Sequence, residues 1–478
     1  MKITVLPMDN RPPNYKFLKE LAKIYNLNIE LPPEDRLGFY MSPGNMEWLK
    51  DWLVKQSGDV FIISTEMLCY GGLIASRENW NSYSGAAENL SAIEKIKERN
   101  PNSKILLSSI IRRASISVFS SETRDYWEEM NEYLKNMNSG ALIKKEKSIP
   151  VFLEKYVDEY WTLRERNHKI NKDCIEYVKR GIAEVLVLAQ EDTFENGPQV
   201  KEIEILSDLV KGNGLSEKVF IHNGADEVLQ ELLIRSFNST FVDLFFDSEK
   251  TKNKVMDFED RSFKKNVESH MKLTGFRKDK NSGVSILISG SEPEKTKELI
   301  KELDESKEEI YLLDVFKANG SNPELIDQVI SEKFEKLLGF SAWNTASNSL
   351  GTLLCMAAGK EDKSYLNLYK FFMERLVDDH LYQGIYREKL ENSLIENNED
   401  IYKVRENSKI FSKFRDDIFF PEANRFLKNN FLNKKIIVNE EEYVVSSVSL
   451  DKFSLPWNRT FECSVDVNIS FNTMGGSK

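Results

Sequence analysis

Short apolar runs recur through the first 350 residues, and they constrain the fold more than any other feature of this sequence. Runs of this length, rich in Ile, Val, Leu and Phe, are typical of parallel strands buried on both faces. Amphipathic stretches such as Asn14–Tyr25 and Pro323–Leu338 separate them and predict helices. Strands alternating with helices predict a parallel sheet. The runs are Ile3–Leu6, Val60–Ser64, Ile105–Ile111, Val185–Ala189, Val219–His222, Phe241–Phe246, Val284–Ile288, Ile310–Leu313 and Phe340–Trp343.

The number of runs leaves two α/β arrangements open. Eight or nine parallel strands can close a TIM-barrel-like core, and they can also form two doubly wound sheets. We favour the barrel, as a catalytic core over residues 1–350 with a helical insertion at about 126–177. Over residues 351–478 the pattern changes to helices followed by short strands, which predicts a small C-terminal α+β region.

Composition and charge exclude several classes of protein. The net charge is −11, with acids and bases interspersed, so we expect no nucleic-acid partner. The four cysteines form no CxxC pair and the four histidines no zinc motif, so we expect reduced thiols, no metal and no other cofactor. We see neither a signal-peptide pattern nor an apolar run that could span a membrane, and we expect a cytoplasmic protein with no membrane partner. The oligomeric state stays open.

Polar residues follow nearly every apolar run, at the edge where the carboxyl ends of parallel strands meet. Carboxylates, amides and aromatic rings suit a sugar, because each sugar hydroxyl both donates and accepts hydrogen bonds. Some of these acids could instead cap the next helix. The predicted substrate-binding residues are Asp9, Asn10, Arg11, Glu66, Tyr70, Gly71, Arg112, Gln190, His222, Asn223, Asp314, Asn319, Trp343 and Asn344.

Two acidic pairs are the predicted catalytic residues. The segment His222-Asn223-Gly224-Ala225-Asp226-Glu227-Val228 resembles the signature of the glycoside hydrolase family 20 β-N-acetylhexosaminidases. That resemblance implies that Glu227 is the general acid and that Asp226 orients the 2-acetamido group of the substrate. Glu191 and Asp192 follow another apolar run and could supply a basic partner, or bind a divalent cation with Asp226 and Asp314.

Motifs along the whole chain resemble those of a bacterial family, the DUF4127 proteins. Glu66 and Glu191 stand where that family usually has Asp, which keeps the charge and lengthens the side chain by one methylene. The family resemblance implies no activity. The motifs include Pro7–Asn14, Ser64–Leu73, Gln190–Thr193, Gly224–Glu227, Ala342–Ala346 and Pro456–Phe461.

The expected function rests on the predicted pocket and on the hexosaminidase-like segment. We expect a glycoside hydrolase that acts on a small sugar conjugate, with N-acetylated sugars as one class of substrate. A metal-assisted hydrolase or lyase that uses clustered carboxylates is the first alternative. A non-catalytic protein that binds a sugar or another metabolite is the second.

Overall fold

The computed structural model describes residues 1–118, 121–135, 154–438 and 441–473. The first half of the chain forms a six-stranded parallel sheet with the order β2-β1-β3-β4-β5-β6. Alternate residues of its inner strands enter two hydrophobic cores: Val60 and Ile62 face one, while Phe61 and Ile63 face the other. The strands are β1 Lys2–Leu6, β2 Asn28–Glu30, β3 Val60–Ser64, β4 Lys104–Ile111, β5 Val185–Gln190 and β6 Val219–Asn223.

A second parallel sheet follows with the order β8-β7-β9-β10-β11. Its strands are β7 Phe241–Phe246, β8 Arg277–Lys278, β9 Val284–Ser289, β10 Glu309–Asp314 and β11 Leu337–Ser341. In both sheets the second strand lies at one edge, beside the first, and the later strands continue in sequence order. This is the order of doubly wound sheets, in which ligands bind outside the carboxyl ends of the strands. The parallel α/β class is confirmed, and closure into one barrel stays a prediction.

Helices cover the faces of both sheets. Helix α14 begins with a capping box, in which Thr345 and Asn348 satisfy each other's backbone amides, and every residue of this helix is buried. The helices are α1 Lys16–Ile24, α2 Met46–Lys55, α3 Thr65–Tyr70, α4 Tyr83–Leu90, α5 Ala92–Arg99, α6 Ser121–Lys135, α7 Glu154–Lys179, α8 Pro198–Gly212, α9 Val228–Arg235, α10 Glu249–Asn253, α11 Phe263–Thr274, α12 Pro293–Ser306, α13 Pro323–Ser331 and α14 Ala346–Ala357.

The C-terminal part combines helices with a three-stranded antiparallel sheet. The helices are α15 Tyr365–Arg375, α16 Arg387–Glu396, α17 Lys409–Lys413 and α18 Phe420–Phe431, with π-helical turns at Leu376–Tyr386 and Phe414–Phe419. The strands are β12 Lys435–Val438, β13 Glu441–Ser454 and β14 Ser464–Thr473. Helices followed by strands match the predicted order, although β13 and β14, with 14 and 10 residues, are longer than predicted; the boundary at residue 350 stays a prediction.

The predicted helical insertion corresponds to α6 and α7, and its residues 136–153 lie outside the described residues. Within the part of the chain that the structure describes, no helix combines the length and apolar character that crossing a membrane requires.

Candidate functional site

A cavity of about 460 Å³ lies where the carboxyl ends of the two parallel sheets meet, and we call it the cleft. Its volume falls in the range of small-molecule sites, about 300–1,000 Å³. The loops after β1, β3, β4, β5 and β6 line it from one sheet, and those after β10 and β11 from the other. Its polar and aromatic lining residues include Arg11, Tyr40, Arg77, Arg113, Arg124, Trp127, Gln190, Glu191, Asp192, Asp226, Phe258, Asn319, Asn344, Asn348, Arg387, Glu391, Tyr402, Arg459 and Phe461.

Arginines outnumber carboxylates among the residues that line the cleft. Six arginines and four carboxylates line it, and Asp9 and Glu462 beside the lining pair with Arg11 and Arg459. Guanidinium groups bind phosphates and carboxylates through paired hydrogen bonds, and a cleft with an excess of them attracts anions. The cleft is therefore suited to a ligand that carries a negative charge.

Arg11 joins two carboxylates at the end of β1. Its guanidinium donates to Asp9 at 2.7 Å and to Asp226 at 2.6 Å, and Asp9 also accepts from the backbone N–H of Arg11. The side-chain amide of Asn14 donates to both acids at 3.1 Å. Burial raises the pKa of Asp226, opposed by Arg11 and aided by Asp9. Because Asp9 and Asp226 share a single guanidinium, Asp226 tends to keep its proton.

Glu191 and Asp192 follow β5 and point into the same cleft. Arg77 forms an ion pair with Glu191, and Arg113 lies 3.2 Å from Asp192. Burial lowers the pKa of Arg77 to about 10, with Glu191 opposing this effect. The Asp192 side chain is 25% exposed against 7% for Asp226, so Asp192 is the more open of the two carboxylates.

Backbone strain concentrates around the cleft. Left-handed φ angles are uncommon for residues other than glycine, and they cluster at ligand sites because such strain persists only where the surroundings impose it. Non-glycine residues with positive φ that line the cleft are Tyr40 (51°), Asp192 (34°), Phe258 (65°), Asn319 (57°) and Asn344 (50°).

Glu227 lies beneath the cleft floor. It is fully buried, and the side-chain amide of Asn348 donates to it at 2.5 Å. A Cβ at Gly224 would approach its Oε1 to 1.9 Å, and Gly224 has φ 95°, so this turn requires glycine. Burial, followed by the nearby Glu231, raises the pKa of Glu227 to about 8.

The C-terminal part supplies one wall of the cleft. The Arg387 guanidinium donates to Glu391 at 2.8 Å, and Arg459 forms an ion pair with Glu462. The indole of Trp457 donates to Asn10 at 2.7 Å, which ties this wall to the loop after β1. The sequence-based site omitted Arg113, Arg387, Glu391 and Arg459. Arg459 lies in the quoted motif Pro456–Phe461, which was the available signal.

Many of the predicted site residues meet at the cleft. Trp343 lines a small adjoining cavity, with its indole donating to Thr352. Residues that lie beside the lining, as chain neighbours or hydrogen-bond partners of it, are Asp9, Asn10, Asn223 and Glu227. Predicted residues that line the cleft are Arg11, Gln190, Glu191, Asp192, Asp226, Asn319 and Asn344.

The remaining predicted residues do not line the cleft, and each has a structural contact. Glu66 accepts from the backbone of Ile110, and burial raises its pKa to about 7. Tyr70 lies under the guanidinium of Arg166, and Gly71 ends α3 with φ 85°.

Three further predicted residues also lie away from the lining. The guanidinium of Arg112 lies over the ring of Tyr160. Asp314 accepts two backbone N–H bonds in the loop after β10, and burial raises its pKa to about 6. His222 is fully buried at the end of β6, stacked on His270.

These observations describe an α/β protein with two parallel sheets and an arginine-lined cleft at their carboxyl ends. The chain matches the family model DUF4127, "Protein of unknown function (DUF4127)", over residues 3–466, and it belongs to that family. No curated protein matches it.

Among solved structures, the chain is similar to a cobalamin-dependent S-adenosylmethionine radical enzyme, OxsB, with aqua-cobalamin bound. The TM-score is 0.18 at 10% identity, covering 84% of this chain and 62% of that one. The same enzyme with aqua-cobalamin and S-adenosylmethionine bound gives the same values. The chain thus spans 62% of the length of these structures. A TM-score this low carries no argument about fold or activity.

Proposed function

We propose that this protein is a glycoside hydrolase that acts on a small, negatively charged sugar conjugate. The observation that carries the proposal is the composition of the cleft, in which six arginines stand among carboxylates, amides and aromatic rings. The arginines suit a phosphate or carboxylate group of the substrate. The carboxylates and amides suit hydroxyls, because these groups accept and donate several hydrogen bonds at once.

Asp226 is the proposed general acid. A general acid must touch the substrate and hold a proton near neutral pH. Asp226 lines the cleft, and both burial and the neighbouring Asp9 raise its pKa against the effect of Arg11. The hexosaminidase-like motif would give this role to Glu227, whose raised pKa also suits an acid. We prefer Asp226 because Glu227 is fully buried below the floor of the cleft.

Asp192 is the proposed partner that activates water or attacks the sugar. Its side chain is 25% exposed, and Arg113 holds it at 3.2 Å. A base or a nucleophile must be reachable by water or by the sugar, and Asp192 is the more exposed of the two proposed catalytic carboxylates. Glu191, paired with Arg77, is more enclosed and fits a role in holding the arginines in place.

A panel of 4-nitrophenyl glycosides tests the proposal. It should contain 6-phosphoglycosides and uronides, with the neutral glycosides and the N-acetylhexosaminides for comparison. We expect turnover of at least one anionic glycoside. We expect Asp226→Asn and Asp192→Asn to lower kcat by about 10²–10⁴, the usual contribution of a general acid or base. Asp208→Asn, an exposed substitution on α8, should leave kcat unchanged.

Different results would refute the assignment of the catalytic residues and the proposed glycosidase activity. Turnover that survives Asp226→Asn but is lost in a folded Glu227→Gln variant would transfer the acid role to Glu227. A preference for neutral glycosides would remove the anionic substrate class. Absence of turnover across the panel, combined with thermal stabilisation by an anionic sugar, would replace the hydrolase with a binding protein.

A further inference from the structure

A compact group of metal-binding side chains lies beneath the cleft, apart from the residues that line it. His222 stands at the end of β6, Glu231 on α9 and His270 on α11. One ligand atom from each lies within 4.8 Å of the others, and all three residues are fully buried. We propose that His222, Glu231 and His270 bind a divalent transition-metal ion of the zinc class.

Unpaired polar atoms support this site. Neither ring nitrogen of His222 has a hydrogen-bond partner, and neither does Oε2 of Glu231. Buried polar atoms are nearly always paired, so the orphaned His222 Nε2 and Glu231 Oε2, which face each other, indicate a ligand between them. His222 Nε2 and Glu231 Oε2 are 3.9 Å apart, too far for a hydrogen bond. Two ligands of one tetrahedral zinc ion, bound at about 2.0–2.1 Å, lie about 3.3–3.4 Å apart, so a small side-chain rotation closes the site.

His270 is held in place by hydrogen bonds at both of its ring nitrogens. Its Nε2 lies 3.1 Å from the backbone carbonyl oxygen of Asn223, and its Nδ1 lies 2.7 Å from Glu231 Oε1. A ligating histidine usually donates its second ring N–H to a carbonyl or a carboxylate, which fixes the ring. In the structure Nδ1 donates to Glu231 Oε1, so binding an ion requires Nδ1 to give up that proton while Nε2–H keeps its bond to Asn223.

The ligand set selects the class of ion. Two imidazoles and a carboxylate suit zinc and its neighbours, whereas Mg²⁺ and Ca²⁺ prefer oxygen ligands alone. Glu227 lies nearby but outside this group, because its Oε1 faces Gly224, where a Cβ would approach it to 1.9 Å. A Cβ at Gly351 would meet both Glu227 Cγ at 2.3 Å and Glu231 Oε1 at 3.0 Å, so the two acids pack against the same glycine. Three protein ligands leave a fourth coordination position, which a water molecule can fill.

Such a site would hold the floor of the cleft in place. His222 and Glu227 flank the turn Asn223–Asp226, whose Gly224 and Asp226 line the cleft. An ion bound here ties that turn to α9 and α11. The inference is independent of the proposed reaction, because it concerns the position of the turn and not the substrate.

Metal analysis of the purified, tag-free protein tests the site. After exhaustive dialysis we expect about one zinc ion per chain by mass spectrometry. In His222→Gln and His270→Gln we expect a tenth of that content or less. His380→Gln is the matched control, because His380 is equally buried but pairs with Ser321 and Asp327 on another segment. It should keep the wild-type zinc content.

A second measurement decides the question if the variants fail to fold. Wild-type protein stripped with a chelator and loaded with Co²⁺ should show the visible absorption of a four-coordinate site. The X-ray absorption spectrum of its zinc form should show two imidazoles with oxygen ligands. Wild-type protein that retains no stoichiometric metal and takes up neither Zn²⁺ nor Co²⁺ would overturn the site. Folded His222→Gln and His270→Gln variants with full zinc content would do the same.

Discussion

Replacing Arg11 with methionine tests the buried charge cluster at the end of β1. The guanidinium contacts Asp9 at 2.7 Å and Asp226 at 2.6 Å, and each of the three side chains is less than a tenth exposed. Methionine keeps much of the apolar length of arginine but leaves the two carboxylates without their shared cation. Breaking a buried ion pair by removing one partner costs about 3–5 kcal/mol.

This loss of free energy of unfolding can be expressed as a decrease in Tm. Unfolding entropy near 60 °C is about 2.1 cal/mol/K per residue, or about 1 kcal/mol/K for 478 residues. If the chain unfolds as one unit, Arg11→Met should therefore lower Tm by about 3–5 °C. The shift is larger if the part that contains the first sheet unfolds alone, because the same free energy is divided by a smaller entropy.

The decrease in Tm caused by Arg11→Met should depend on pH in a definite direction. Burial raises the pKa of Asp226, and loss of Arg11, which opposes this effect, raises it further. A carboxyl with a raised folded-state pKa loses stability as pH rises through that pKa. The Tm deficit of Arg11→Met should therefore be greater at pH 8 than at pH 5.

Calorimetry on wild type, Arg11→Met and Arg415→Met checks both the size and the sign of this effect. Arg415 pairs with Asp416 at 2.7 Å on an exposed surface, so its loss should not shift Tm measurably. Equal melting of the two variants would refute the reasoning, and so would a deficit for Arg11→Met that is as large at pH 5 as at pH 8.

Two further predictions concern the glycine turn and the buried acids. Gly224→Ala should lower Tm, because the added Cβ overlaps Glu227 and the φ of this residue is 95°. The control Gly212→Ala in α8, whose Cβ meets nothing within 4 Å, should leave Tm unchanged or raise it. Equal Tm values for the two variants would contradict the close packing at Gly224. The Tm of the wild type should fall between pH 5.5 and pH 9. Burial raises the pKa of Glu66 to about 7 and of Glu227 to about 8, and the fold loses stability as these acids ionise. A Tm that rises over that range would contradict the burial of these acids.

The apolar runs predicted the buried strands of the parallel sheets, but not the short edge strands β2 and β8. Doubly buried strands need continuous apolar runs, and Val60–Ser64 and Val185–Gln190 carry them without interruption. How strands group into sheets depends on contacts between helices distant in the sequence. The π-helical turn at Leu376–Tyr386 has no signature that propensity or periodicity could reveal.

The cleft was predictable only in part. Residues directly after strands, such as Asp192 and Asp226, were found because carboxyl ends of parallel strands meet at one edge. Arg387 and Arg459 come from a helix and a loop of the C-terminal part, whose position is set by tertiary packing. Glu66 has the same local pattern as the cleft acids, yet its side chain turns to the backbone of Ile110.

Calorimetric titration with hexose 6-phosphates and the corresponding neutral hexoses tests most directly whether the cleft is a site for anionic sugars. We predict that a phosphorylated sugar binds at least tenfold more tightly than its neutral counterpart, and that Arg113→Met removes most of this difference while Arg415→Met does not. Equal affinity for both sugars, or a preference for phosphate that survives Arg113→Met unchanged, would contradict the account.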